Sequence, residues 1–332
     1  MKRVHVIALV LLLNLLLPAT ASVAQGPLDY SAEIEAETVM KHVRALSVAI
    51  GARPMGSEAE ALAADYVAAA LADWGYEVEV QTFETTPPGA EAVATSQNVI
   101  ATLPGDEQIL VVGAHLDSVD AATGAGDNAS GVAAMLAAAE ALRDAELVHT
   151  VMFVAFGAEE GGDPSGAVFL VEQLGPELDN VIAMINIDSV GVGTTVNVYA
   201  GATITWPEDE SEDAAPTIEG GPTWVRDLAL DLAAEMNLEL GTTPDDTWGG
   251  YTGDWSDHYA FVLEAVPVAY FEAWQWEDAE DPWWGQETAE GDVMHTEGDV
   301  YESVVPEKVE MTAEVLAAMT AAIASGEGVP AE

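Results

Sequence analysis

Apolar positions along this chain recur with two periods, and the switches between them lay out an order of strands and helices. Glu33 to Ile50 and Glu58 to Trp74 both carry helical spacing. In the second, Ala61, Leu62, Ala64, Val67, Ala68 and Leu71 are apolar, and Gly75 ends the pattern. Tyr76 to Phe83 alternates as a strand, and Pro87-Pro88-Gly89 turns the chain. Asn98 to Leu103 and Gln108 to Val112, parted by Pro104-Gly105-Asp106, read as a hairpin. Three apolar runs read as buried strands: Ile109 to Val112, Val151 to Phe156 and Val181 to Ile187, the last interrupted by Asn186 alone. Thr194 to Ala200 and Val266 to Phe271 are two more strands. Helical patterns fall at Gly131 to Ala145, Gly166 to Leu174, Pro222 to Met236 and Val305 to Ala322. This alternation predicts an α/β fold, one domain with a mixed, mostly parallel sheet sandwiched between helices.

Three stretches fall outside the pattern. The first 24 residues have a basic start at Lys2-Arg3, an apolar run from Val6 to Leu17 and small residues through Ser22-Val23-Ala24. They read as a secretory signal cleaved after Ala24, too short to span a bilayer comfortably, with an uncleaved anchor as the alternative. The mature domain then runs from residue 25 to 332. Within it, Pro207 to Gly221 is an acidic, Pro- and Gly-bounded insertion (about 203–221), expected to be a solvated loop rather than a calcium site. The segment at about 273–285 is acidic and holds Trp274, Trp276, Trp283 and Trp284. Those four either pack beneath the loop or wall a pocket.

Composition narrows the partners. Half the 332 residues are hydrophobic, ample for a core, but 58 acidic residues face 8 basic ones, a formal charge of −50. Nucleic acid and anionic membranes would be repelled. The acids are spread along the chain, as on a solvated surface adapted to high salt. With no Cys there is neither disulfide nor thiolate chemistry.

The chemistry gathers where the buried strands end. The run at Ile109 leads into His115, with Asp117 beyond it. The following small-residue loop carries Asp127-Asn128 to the Ala-rich helix. The run at Val151 ends in Glu159-Glu160, and the run at Val181 ends in Asp188. Carboxyl ends of strands are where open α/β sheets build sites. His115, Asp127, Glu160, Asp188 and His295 together offer two imidazoles and three carboxylates, a set suited to zinc or a similar divalent ion. With Asp127 as a bridge, one ion receives His115, Asp127 and Asp188, and a second receives Asp127, Glu160 and His295. Ions so paired sit about 3.5–4 Å apart and can share one hydroxide. Glu159 is left over as a general base, since neighbouring side chains in a tight turn point apart. Asp117 is available to accept the other ring N–H of His115. Each residue also has an ordinary reading: surface charge for Glu159-Glu160, a helix cap for Asp127-Asn128, a satisfied buried imidazole for His115. The ordinary account must explain each separately, in a chain with only 6 His.

Ala114-His115-Leu116-Asp117-Ser118, Gly126-Asp127-Asn128-Ala129-Ser130-Gly131, Gly157-Ala158-Glu159-Glu160-Gly161, Asn186-Ile187-Asp188 and His295-Thr296-Glu297-Gly298-Asp299 form an ordered set. In that order they resemble metallopeptidase family twenty-eight, the co-catalytic zinc aminopeptidases of the bacterial leucyl aminopeptidase type. The likeness runs from about Arg53-Pro54-Met55-Gly56-Ser57 to the closing helix. Met294 and Ala167 depart from it, standing where relatives often have an aromatic residue and a Ser. The resemblance implies the zinc exopeptidase fold, two Zn2+ (or Co2+ or Mn2+) on the five ligands, and Glu159 as base. It also implies release of N-terminal residues from peptide substrates. Asp257 and His258, in a Ser256-Asp257-His258 stretch resembling the family's, and Tyr251 upstream of it are the implied substrate contacts. Carboxypeptidase, dipeptidase or glutaminyl cyclase activity could occupy the same framework. A metal-free, receptor-like binding protein is the rival of another class.

Overall fold

The computed structural model describes residues 26–205, 217–243, 249–276, 285–288 and 291–330. The expected leader, Trp283 and Trp284, and the middle of the acidic insertion lie outside them. Two helices open the chain, α1 (Ala36–Arg44), prolonged by wider turns to Ile50, and α2 (Glu58–Asp73), capped by the Ser57 side chain. The strands β1 (Glu77–Thr85), β2 (Ala94–Leu103), β3 (Ile109–His115), β4 (Thr150–Phe156), β5 (Val181–Ile187) and β6 (Val196–Ala200) follow. Helices α3 (Gly131–Leu142) and α4 (Gly166–Leu174) lie between β3 and β4 and between β4 and β5. A hairpin of β7 (Ala202–Thr205) and β8 (Thr217–Gly220), helices α5 (Trp224–Met236) and α6 (His258–Val262), and β9 (Val268–Ala273) complete the middle. The chain closes with a short pair, β10 (Glu287–Thr288) and β11 (Gly291–Asp292), and the long helix α7 (Pro306–Ala324).

Seven strands form one mixed sheet in the order β1-β2-β4-β3-β5-β9-β6, with β3, β4, β5 and β9 parallel and β2 and β6 reversed. All seven residues of β3 are buried, as its unbroken apolar run requires of a central parallel strand. Gly113 fits there because a Cβ would lie 2.3 Å from the Phe156 ring of β4. One face of the sheet packs on α1, α2, α3, α5 and α7 through Val112, Ile185 and Phe271; the other packs on α4 and α6 through Val111, Val154 and Met184. Among the described residues, no helix is long and apolar enough to cross a membrane.

Two expectations need correction. The segments Asn98 to Leu103 and Gln108 to Val112 do not pair: β4 lies between them. Their short link instead crosses the start of β4, where the Gly105 amide donates to Thr150 Oγ1 at 3.0 Å and the Asp106 amide to the Val148 carbonyl at 2.8 Å. A Cβ on Gly105 would lie 2.4 Å from the His149 carbonyl carbon, so the approach needs glycine. Nor is the acidic insertion all loop, because its flanks pair as β7 and β8.

Candidate metal centre

The three buried strands deliver their polar ends to one edge of the sheet. Across it, His115 of β3 stands beside β5, which ends next to Asp188. His115 is 1% exposed and Asp188 7%. The loop between β3 and α3 folds back and brings Asp127 between two imidazoles. His115 Nε2 is 3.1 Å from Asp127 Oδ1 and 3.2 Å from Asp188 Oδ1. His295 Nε2 is 3.1 Å from Asp127 Oδ2 and 3.2 Å from Glu160 Oε2. The five expected ligands thus come together from five separate segments, with both Asp127 oxygens in use. Among the described residues, His115, Asp127 and Glu160 form a group whose ligand atoms all lie within 4.8 Å of one another. Glu160 Oε1 is buried with no hydrogen-bond partner among the described residues. A donor set of two imidazoles and three carboxylates, closely spaced and with an oxygen to spare, fits zinc.

Charge in the centre follows this crowding. Burial pushes the Glu160 carboxyl up to about 7, helped by the Asp127 anion and opposed by His295. Burial alone would raise Asp127, yet hydrogen bonds and charges from His115 and His295 hold it below the ordinary carboxylate range. Hydrogen bonds to Asp127 and Glu160 push His295 up to about 11. Burial disfavours a proton on His115, but Asp188 and Glu159 more than offset it and raise that imidazole well above its ordinary value. The site's strong demand for positive charge is what a metal centre requires.

Neighbouring groups fix each ligand. Ser256 Oγ donates to Asp188 Oδ2 at 2.8 Å and is itself held by Asn186 Nδ2 at 2.8 Å. The Gly126 and Asp127 amides donate to the two oxygens of Asp299 at 2.6 and 3.1 Å. Asn128 Oδ1 accepts from the Gly131 and Ser189 amides, tying the Asp127 loop to the end of β5. Beneath, the fully buried Arg53 guanidinium donates to the carbonyls of Leu116, Gly51, Thr123 and Gly124. The Asn128 bond to the Gly131 amide is the helix cap that the sequence offers, whereas the supporting roles of Ser256, Asp299 and Arg53 have no such signal. Asp299, four residues past His295, was the one within reach of such reading, but one acid among 58 carries no signal.

Glu159 stands apart from both pairs, with Oε2 3.9 Å from His115 Nε2. Burial foremost, then the anions of Asp188, Asp257 and Glu160, push its carboxyl well above the usual range. Asp117 differs from expectation. Its carboxylate lies 3.7 Å from His115 Nδ1, beyond hydrogen-bond reach, and accepts the Glu159 and Glu160 amides at 3.0 and 3.2 Å instead. The His115 Nδ1 contact is the Asp117 main-chain oxygen at 3.2 Å.

The three implied substrate contacts divide. Asp257 is buried with both oxygens unpartnered among the described residues, and its charge is felt by Glu159. His258 is a packing residue: it stacks on Tyr270 with ring centres 4.6 Å apart and its Nε2 meets the Gly253 carbonyl at 2.8 Å. Burial holds it neutral, its pKa pushed down to about 4. Tyr251 joins the hairpin cluster with Ile204, Ile218 and Trp276, its ring 5.9 Å from the Arg226 guanidinium. Trp276 packs in that cluster too, donating to the Tyr199 hydroxyl at 3.0 Å.

A sheet edge offering these ligands defines a zinc-peptidase class of protein, and comparison with known proteins agrees. Residues 98–320 match peptidase family M28, and the chain belongs to that family. It is 27% identical to the alkaline phosphatase isozyme conversion protein of Escherichia coli over 77% of this chain and 79% of that one. It is 28% identical to aminopeptidase YwaD of Bacillus subtilis over 68% of this chain, spanning 44% of the relative. Among solved structures, an aminopeptidase from Aneurinibacillus superposes with a TM-score of 0.69 at 20% identity, covering 92% of this chain and 99% of that one. A glutaminyl cyclase from Porphyromonas gingivalis superposes with a TM-score of 0.63 at 20% identity, covering 85% and 96%. The fold is therefore that of the zinc aminopeptidases, shared with a glutaminyl cyclase.

Proposed function

We propose that the chain is an exported aminopeptidase that holds two zinc ions, or Co2+ or Mn2+ in their place, and releases N-terminal residues from peptides. The observation that carries this reading is Asp127, whose two oxygens each lie 3.1 Å from a different imidazole, with a private carboxylate beside each ring. His115, Asp127 and Asp188 would hold one ion, and Asp127, Glu160 and His295 the other. When bound, the metals supply Lewis acidity toward the scissile carbonyl and lower the pKa of water. Glu159, outside both ligand sets, takes the proton of the attacking water and returns it to the departing amine. Asp117 fixes the amides of Glu159 and Glu160 so that base and ligand face different imidazoles. Asp257 and Glu272 are further buried carboxyls, both pushed well above the usual range by burial foremost and also by the Asp188 anion. An environment this acidic favours a substrate's ammonium end over its carboxylate end. Export rests on the first 24 residues, and the mass of the mature N-terminus checks it.

Hydrolysis of paired free and N-blocked peptides, with products identified by mass and metal counted per chain, tests the proposal. Free-amine-dependent loss of one N-terminal residue, with two metals per chain, is the expected result. Loss of C-terminal residues, or cyclisation of N-terminal Gln with release of ammonia, would replace this reading by carboxypeptidase or cyclase activity. A folded chain that binds no metal would support the receptor-like alternative.

A further inference from the structure

Four consecutive main-chain amides follow β4, and side chains take three of them. Gly157 donates to Asn98 Oδ1 at 3.1 Å, and Glu159 and Glu160 donate to the two oxygens of Asp117, while the Glu60 carboxylate lies beside the Gly157-Ala158 peptide between them. Glu60 belongs to none of the motifs at the strand ends. It sits in the first turn of α2, wholly buried, where Oε1 accepts from Ser96 Oγ at 2.5 Å and Oε2 from the Gly56 amide at 2.6 Å. Among the described residues, no cation pairs with it. Burial, then the Asp117 anion, pushes its carboxyl up to about 7. An apolar residue would occupy that space at lower cost, so its presence calls for a specific role.

The turn it meets is tightly determined. A Cβ on Gly157 would stand 2.3 Å from Ser96 Oγ and 2.9 Å from Glu60 Oε1. Ala158 has φ 57, a left-handed conformation that residues with a Cβ rarely adopt. That reversal sends Glu159 toward His115 and Glu160 toward His295. Resting on the aminopeptidase reading, we propose that Glu60 is a positioning residue, which with Ser96 buttresses the turn at Gly157-Ala158 and so aims Glu159 at the reacting centre.

The test combines Glu60→Ala, Glu60→Gln and Ser96→Ala with Glu159→Gln. Steady-state kinetics on a leucine anilide, metal content, and amide hydrogen exchange across residues 157–160 are the readouts. Glu60→Ala should lower kcat about tenfold or more, as misplacement of a reacting group does, with KM within about twofold and metal retained. Glu60→Gln keeps one acceptor of the same shape and should fall between. In the Glu159→Gln background, Glu60→Ala should have almost no further effect, because its target is already disabled. Wild-type kcat in a folded, metal-replete Glu60→Ala overturns the proposal, and so does an equal fold-loss in both backgrounds. If Glu60→Ala does not fold, Glu60→Gln and Ser96→Ala carry the same comparison, each removing one contact to the carboxylate. The Ala158 and Glu159 amides should exchange faster in Glu60→Gln than in wild type, and unchanged protection likewise overturns the role. Wild-type inactivity on every free-amine peptide would instead overturn the aminopeptidase reading, and the exchange measurement then still decides whether Glu60 holds the turn.

Discussion

Asp127 and Glu159 lie in the same cleft, yet their removal should leave different chemistry behind. Both oxygens of Asp127 face an imidazole, so Asp127→Ala withdraws a ligand from each ion position. The expected result is loss of metal together with activity; full zinc content in that variant rules out the bridge. Glu159→Gln keeps the shape of the side chain but cannot carry a proton. It should retain metal and lose about 10²–10⁴-fold in kcat, and a variant with more than half the parental activity would show Glu159 to be misassigned. The five ligand candidates were legible because four of them follow directly from buried runs or the loop after one, and His is scarce. Ser256 and Asp299 were not. Their partners are set by tertiary approach, as when Asp299 meets an amide 172 positions earlier, and a strand-end pattern contains no trace of that.

Element types were legible from periodicity, whereas neighbour relations were not. A five-residue link between two strands suggests a hairpin, but the rule assumes that nothing enters between them. Here β4 does, because β3, buried along its whole length, takes a parallel neighbour on each side. The α1–α2 contact carries a prediction of its own. His42 of α1 bonds the Tyr66 hydroxyl of α2 at 2.7 Å, packs edge-on against Trp74 and leaves Nε2 buried and unpartnered among the described residues. Burial foremost, with Lys41 adding, pushes its pKa down to about 4, below the ordinary 6.5. Between those values the unfolded chain binds a proton that the folded chain refuses, so stability is complete above pH 6.5 and falls as pH drops toward 4. The loss from this one group should reach about 2–3 kcal/mol by pH 4.5. Denaturant titration of wild type and His42→Leu at pH 7 and pH 4.5 measures it. The variant should lose less stability on acidification, and equal losses would remove His42 from the account.

At the scale of the whole molecule, five of the cations among the described residues are already committed. Arg53 is buried against carbonyls, Lys308 donates to the Gly193 carbonyl, and Arg44 lies 5.5 Å over the Tyr301 ring. Arg143 and Arg226 pair only with the acids next to them in sequence, Asp144 at 3.5 Å and Asp227 at 2.6 Å. A formal charge of −50 therefore has almost no internal compensation, and the folded state concentrates that charge more than the unfolded chain does. Dissolved salt must do the screening. The Debye length falls from about 10 Å at 0.1 M to about 3 Å at 1 M, below the usual spacing of surface charges. The melting temperature should accordingly climb steeply from dilute buffer to about 1 M salt and then flatten. NaCl and KCl should act alike if screening is the cause. A continued rise in sulfate beyond that range would report exclusion from apolar surface, which adds to screening without replacing it. A melting temperature that is flat or falling from dilute buffer to molar NaCl would mean that self-repulsion is not what limits this fold.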